Sequence, residues 1–194
     1  MLNIFCVDLD LPVTIDLYDF NRILHTDFDP TIGHHFHLAV DKNLNEFLKK
    51  YKLEIGHSEL FYTPPNTTSE IHIDQDTTSK CKINYTFCAN GSKMQWFKIK
   101  DSATAPLFNK TEVDTVSLCY KNDQCDLIYS SEVKKPSMVE VGTAHNIVNN
   151  TNEPRWCLSY MLWDSDRNVL PTWTEASKKL RNFIVDKDMP RRLQ

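Results

Sequence analysis

The chain has 194 residues, 41% of them apolar and 25% charged, with a net charge of −4 at neutral pH. That is enough for one domain with a sizeable hydrophobic core. An acidic balance without clustered Lys and Arg argues against a nucleic-acid partner, because phosphate contacts need such clusters. The basic segment "DMPRRLQ" at the end reads as a solvated tail.

In chain order, "NIFCV" reads as a short first strand and "TIDLYDFNRILHT" as a helix with Leu17, Phe20 and Leu24 on one side. The "GHHFH" stretch places His35 and His37 on one strand face beside His34. No third ligand lies near them in the sequence, so they are read at most as part of a substrate entrance. "DKNLNEFLKKYKL" is a second helix, with Asp41 as its cap and Leu44, Phe47, Leu48 and Tyr51 at i, i+3, i+4 and i+7.

The period then changes to two. "KLEIGHSELFYTP", "SEIHID", "KCKINYTFCA", "SKMQWFKIK", "DTVSLCY", "SMVEV", "HNIVN" and "RWCLSYMLW" all read as strands. Asn90-Gly91 is a two-residue hairpin signal between two of them. "TPPNTTSE" and "KIKDSATAPLFNKTEVD" read as loops at the mouth of the fold. Thr172 and Glu175 make a capping box before an amphipathic helix over 172–186, with Trp173, Ala176, Leu180 and Phe183 on its apolar side. The expected fold is mainly β, a sandwich or antiparallel barrel of the jelly-roll kind with flanking helices. The whole chain, 1–194, is expected to be one domain: an N-terminal segment over 1–52, a β core over about 53–164, and the C-terminal helix.

No basic leader opens the chain and no apolar run is long enough to cross a bilayer. A cytoplasmic setting without a membrane partner follows as the expectation. The six cysteines are then free thiols, and the sequons at Asn66 and Asn109 carry no sugar. The oligomeric state is not legible.

The chemistry concentrates in four residues. His72 and Asp74 are two apart on a strand and point to one face. His145 opens a later strand after a small-residue turn, and Arg155, ten residues on, opens the next. Two imidazoles and one carboxylate on one face of a six-coordinate metal leave three positions open. That suits a non-haem Fe(II) that binds a cosubstrate and oxygen together. A buried arginine beside it is a bidentate partner for a carboxylate of that cosubstrate.

These residues and their order resemble the Fe(II)- and 2-oxoglutarate-dependent oxygenases, over roughly Leu53 to Asp164. The segment "HNIVNNTNEPRWCLSYMLWD" is also similar to the aspartyl/asparaginyl β-hydroxylase branch. That branch typically lacks the acidic ligand, which Asp74 supplies here. Many members of the superfamily carry Arg-x-Ser, whereas here residue 157 is Cys and the serine is Ser159.

The resemblance implies a double-stranded β-helix, with Fe(II) on His72, Asp74 and His145 and 2-oxoglutarate held by Arg155. It also implies O2 as co-reactant, succinate and CO2 as products, and a hydroxylated small-molecule or peptidyl substrate. A carboxylate at Asp74 fills the position that a halide would need, so halogenation is disfavoured. Asn84 and Ser159 are candidate contacts for the cosubstrate; Tyr62 and Trp96 are candidate pocket walls. The competing readings are a cupin-like metalloenzyme that does not use 2-oxoglutarate, and a jelly-roll binding protein with a vestigial metal site.

Overall fold

The computed structural model describes residues 5–74, 81–110, 116–133 and 136–185. The "DMPRRLQ" tail and residue 186 lie outside them. Among the described residues, fourteen strands form: β1 (Cys6–Leu9), β2 (His34–His37), β3 (Leu53–Thr63), β4 (Thr67–Thr68), β5 (Ile71–Asp74), β6 (Cys81–Phe87), β7 (Lys93–Ile99), β8 (Leu107–Lys110), β9 (Val116–Tyr120), β10 (Cys125–Ser131), β11 (Ser137–Glu140), β12 (His145–Asn149), β13 (Arg155–Asp164) and β14 (Ile184–Val185). The helices are α1 (Tyr18–Leu24), α2 (Lys42–Lys49) and α3 (Trp173–Leu180). Among the described residues, no helix is long and apolar enough to cross a membrane.

Two antiparallel sheets face each other. The first runs β14-β1-β11-β6-β13-β3-β2; the second runs β10-β7-β12-β5-β9-β8, with β4 paired to β12. The central strands β3, β6, β11 and β13 sit in the first sheet, and β5, β7, β10 and β12 in the second. The chain therefore winds back and forth between the sheets, which is the jelly-roll topology expected from the strand pattern and the double-stranded β-helix that the resemblance implies. The first sheet also recruits β1, β2 and β14 from segments outside 53–164.

The outer face of the first sheet carries the main core. Leu60, Tyr62, Ile83, Tyr85, Trp156, Leu158, Tyr160 and Leu162 pack there with Leu44 and Leu48 of α2 and Ala176 and Leu180 of α3. Alternation along β13 leaves Arg155, Cys157 and Ser159 on the opposite, inner face. On β3 the parity changes. Leu53 and Ile55 share the core with Leu60 and Tyr62, although odd and even positions normally face apart. A bulge at Gly56, where Met161 pairs with His57 but Leu162 with Ile55, absorbs the extra residue. That bulge turns His57 and Glu59 inward.

Asp41 caps α2 by accepting from the Leu44 N–H, and Thr172 with Glu175 caps α3, both as the sequence indicates. The third helix is shorter than 172–186, ending at Leu180 before a 3₁₀ turn and β14. On α1 the buried residues are Phe20 and Ile23, whereas Leu24 is 42% exposed.

Three further expectations are corrected. Asn90-Gly91 is not a hairpin: β6 and β7 belong to different sheets, so the chain turns a corner there. A type I′ turn needs two positive φ angles at its centre. Here Cys88 and Ala89 take the left-handed region, with φ 59° and 46°, as does Gly91 at 102°. The supposed loop "KIKDSATAPLFNKTEVD" contains β8, and "CDLIYSS" forms β10, which carries exposed Leu127 and Ile128 and lacks clean alternation. Finally, Thr67–Thr68 in "TPPNTTSE" forms a short strand on β12.

The connection between β12 and β13 is pinned by one side chain. Asn149, fully buried, donates through Nδ2 to the carbonyls of Pro64 and Glu153, each at 2.9 Å, and accepts through Oδ1 from the Thr151 hydroxyl at 2.8 Å.

Leu158 is 1% exposed and sits at the centre of the main core. Leu158→Ala should lower the unfolding free energy by about 2–5 kcal/mol. Leu127→Ala, at a half-exposed edge position, should change it by less than about 1 kcal/mol. Urea denaturation of the two variants beside the wild type measures both; equal effects would contradict the core assigned here.

Candidate metal centre

β12 lies between β5 and β7, and His145 is the direct cross-strand partner of His72. Their rings stand 4.5 Å apart, centroid to centroid. Asp74, two residues beyond His72 on β5, reaches the same place, with Oδ1 3.6 Å from His72 Nε2. The three side chains offer ligand atoms within 4.8 Å of one another, a group able to hold a metal ion. The fold thus gathers in one place the three residues that the strand spacing singles out.

The donor chemistry fits a metal. His72 Nδ1 lies 2.9 Å from the Glu70 carbonyl oxygen and His145 Nδ1 2.8 Å from that of Thr143. A carbonyl only accepts, so each Nδ1 carries the hydrogen, which leaves Nε2 as the nitrogen through which either ring would ligate a metal. This backbone bracing fixes the tautomer and the ring plane, as is common for metal-binding histidines. His145 is 5% exposed. Burial, with the neighbouring His72 adding to it, outweighs Asp74 and lowers the His145 pKa to about 4, so the imidazole stays neutral.

Asp74 is held by a residue that sequence reasoning missed. Lys82, on β6 of the facing sheet, places Nζ 3.0 Å from Asp74 Oδ2 and 3.1 Å from Glu59 Oε2. Burial alone would raise the Asp74 carboxyl; Lys82, with His145 and His72, holds it well below the usual carboxylate range. The same contest lowers Glu59 to about 2, with Lys82 and His35 prevailing over burial. For Lys82, burial pulls the ammonium down, and the two carboxylates more than reverse it. The signal was present in "KINYT": Lys82, Asn84 and Thr86 alternate with apolar residues, so all three share a face.

That face lines a cavity of about 750 Å³ between the sheets, bordered by His72, Asp74, His145, Asn84, Arg155 and Ser159 among others. Arg155 is 2% exposed, and its guanidinium donates from Nη2 to Thr86 Oγ1 at 3.2 Å. Among the described residues, no carboxylate pairs with it. Asn84 is 7% exposed and its Oδ1 is buried without a hydrogen-bond partner among the described residues. Ser159 and Cys157 follow Arg155 along the wall. Tyr62 borders the cavity, whereas Trp96 packs in a smaller cluster with Met94 and Val139 and donates to the Glu140 carbonyl at 2.7 Å. The six cysteines are free thiols.

The fold and site define a two-sheet jelly roll with a candidate mononuclear metal centre of two imidazoles and one carboxylate. No protein-family model and no curated protein matches the chain. Similar solved structures include a mutant of Bacillus subtilis oxalate decarboxylase OxdC, at 14% identity and a TM-score of 0.36 over 89% of this chain and 38% of that one. Another is the capsular polysaccharide assembling protein CapF from Staphylococcus aureus, at 12% identity and a TM-score of 0.34 over 83% and 34%. This chain thus spans about a third of the length of those structures.

Burying a neutral His145 makes stability depend on pH. Its folded pKa, about 4, lies below the ordinary 6.5, so the unfolded chain takes up the proton first as the pH falls. The stability that this residue contributes is complete above about pH 6.5 and is lost as the pH falls toward about 4. In chelator-treated protein, unfolding free energy should drop on the order of 2–3 kcal/mol across that window. His145→Gln should remove most of that drop. Asp74 and Glu59, both depressed, act below the window. Urea melts at several pH values test this, and identical slopes in wild type and variant would overturn it.

Proposed function

We propose that the protein is an Fe(II)- and 2-oxoglutarate-dependent dioxygenase that hydroxylates an amino-acid or peptidyl substrate. The observation that carries this reading is Arg155: a buried guanidinium lining the same cavity as the His72–Asp74–His145 group, without an acidic partner among the described residues. Leaving a charge buried and unpaired is expensive. A dicarboxylate that spans from the metal centre to Arg155 resolves that cost.

His72, Asp74 and His145 would hold the iron, leaving the cavity side of the centre open. Lys82 keeps the second oxygen of Asp74 occupied, so that Oδ1 faces the histidines. Arg155 takes the distal carboxylate, with Thr86 steadying the guanidinium. Asn84 Oδ1 is a ready acceptor for a hydrogen-bond donor of a ligand in the cavity. Ser159 borders the same wall. The bound iron and 2-oxoglutarate supply oxidative decarboxylation to succinate and CO2, coupled to hydroxylation by O2. The preference for an amino-acid or peptidyl substrate rests on the similarity of the β12–β13 segment to the aspartyl/asparaginyl β-hydroxylase branch.

Arg155→Ala should weaken 2-oxoglutarate binding to the metal-loaded protein by about 2–5 kcal/mol, the usual cost of cutting a buried charge pair. Metal affinity should stay within a few-fold. Calorimetric titration of both proteins with 2-oxoglutarate reads the difference. Equal 2-oxoglutarate affinity would remove the cosubstrate and leave a cupin-like metalloprotein. Loss of metal from the wild type itself would leave a jelly-roll binding protein.

A further inference from the structure

The alternating histidines of "GHHFH" have no third ligand along the sequence, but the fold supplies one. β2 pairs with β3 so that His37 lies opposite Glu59, while His35 lies opposite Phe61. His35 Nε2 is 2.9 Å from Glu59 Oε1. Because of the bulge on β3, His57 also faces this point, with Nε2 3.5 Å from the same carboxylate oxygen. The rings of His35 and His37 are 5.4 Å apart and those of His37 and His57 4.6 Å. Ligand atoms of His35, His37 and Glu59 lie within 4.8 Å of one another.

We propose that His35, His37 and Glu59, with His57 beside them, form a second metal site, distinct from the His72–Asp74–His145 centre, that takes a divalent first-row transition ion. The ordinary alternative is an ion pair between one protonated histidine and Glu59. Three features disfavour it. Glu59 already has a cation, because Lys82 holds Oε2, so Oε1 needs no second charge. An ion pair uses one imidazole, whereas two, those of His35 and His37, present ligand atoms within 4.8 Å of each other and of the Glu59 carboxylate, and a third, His57, stands beside that carboxylate. The buried His57 Nε2 has no hydrogen-bond partner among the described residues, an orphan that a metal would satisfy.

Imidazole nitrogens with one carboxylate oxygen are a donor set that suits zinc, copper, nickel or iron rather than calcium or magnesium. The arrangement also mirrors the first centre. In each, one carboxylate oxygen faces histidines and the other is held by Lys82. Nothing in this proposal depends on 2-oxoglutarate.

The test uses the full-length chain, stripped with a chelator, dialysed against Zn(II) and analysed for metal by mass spectrometry, with Co(II) absorption as a second readout. Wild type should hold two ions per chain. His37→Gln combined with His57→Gln alters the more exposed pair of histidines; it should weaken one site at least tenfold and leave the other unchanged. His72→Gln should conversely keep one ion and the Co(II) band of the second site. A His72→Gln protein that binds no ion would overturn the proposal. So would metal content and affinities in the wild type, whether for one ion or two, that the His37/His57 double substitution leaves unmoved. A wild type with a single ion that survives His72→Gln and is lost in the His37/His57 variant supports the second site while removing the first, so the two sites are judged separately.

Discussion

The interior is organised around one ammonium group. Lys82 rises from β6 of the first sheet, reaches across the cavity to Asp74 on β5 of the second, and also holds Glu59 on β3. Each of the three charges would be costly to bury alone. Together, one cation between two carboxylates leaves a net negative charge near two clusters of imidazole. Arg155, on the wall of the same cavity, carries a positive charge that no carboxylate of the described residues pairs with, so the interior holds its opposite charges apart. The ion triad also spans the sheets, linking β3 and β6 of the first to β5 of the second.

This polar interior is tolerated because the fold puts its hydrophobic core elsewhere. The main core lies on the outer face of the first sheet, under α1, α2 and α3. In β13 the two roles alternate residue by residue, with Trp156, Leu158 and Tyr160 outward and Arg155, Cys157 and Ser159 inward. Stability and chemistry are thereby assigned to opposite faces of the same strands, and a substitution on one face need not disturb the other.

What could be read from the sequence was whatever local periodicity encodes. His72 and Asp74 share a face because strands repeat every two residues. His145 and Arg155 each open a strand, and that too is visible locally. Glu59 was invisible because the Gly56 bulge inverts the facing of half of β3, and a bulge leaves no trace in a strict period-two count. Lys82 was passed over because a lysine in a strand reads as solvent-facing, although its neighbours Asn84 and Thr86 marked the same side. The Asn-Gly turn misled because the dipeptide permits a hairpin without requiring one; the distribution of β6 and β7 between sheets decides the matter, and that is a tertiary property. β10 escaped because its apolar residues, Leu127 and Ile128, lie exposed at a sheet edge.

The Asn149 side chain gives the interval between His145 and Arg155 a physical meaning. By tying the carbonyls of Pro64 and Glu153 to the end of β12, it braces the loop over 150–154. The spacing of these two residues is then a length standard written into the connection rather than a tally of strand positions. Related chains would tolerate varied residues in this loop, but a loop of another length would need a different clasp. One buried asparagine side chain would thus govern how far the wall that carries Arg155 stands from the histidine pair.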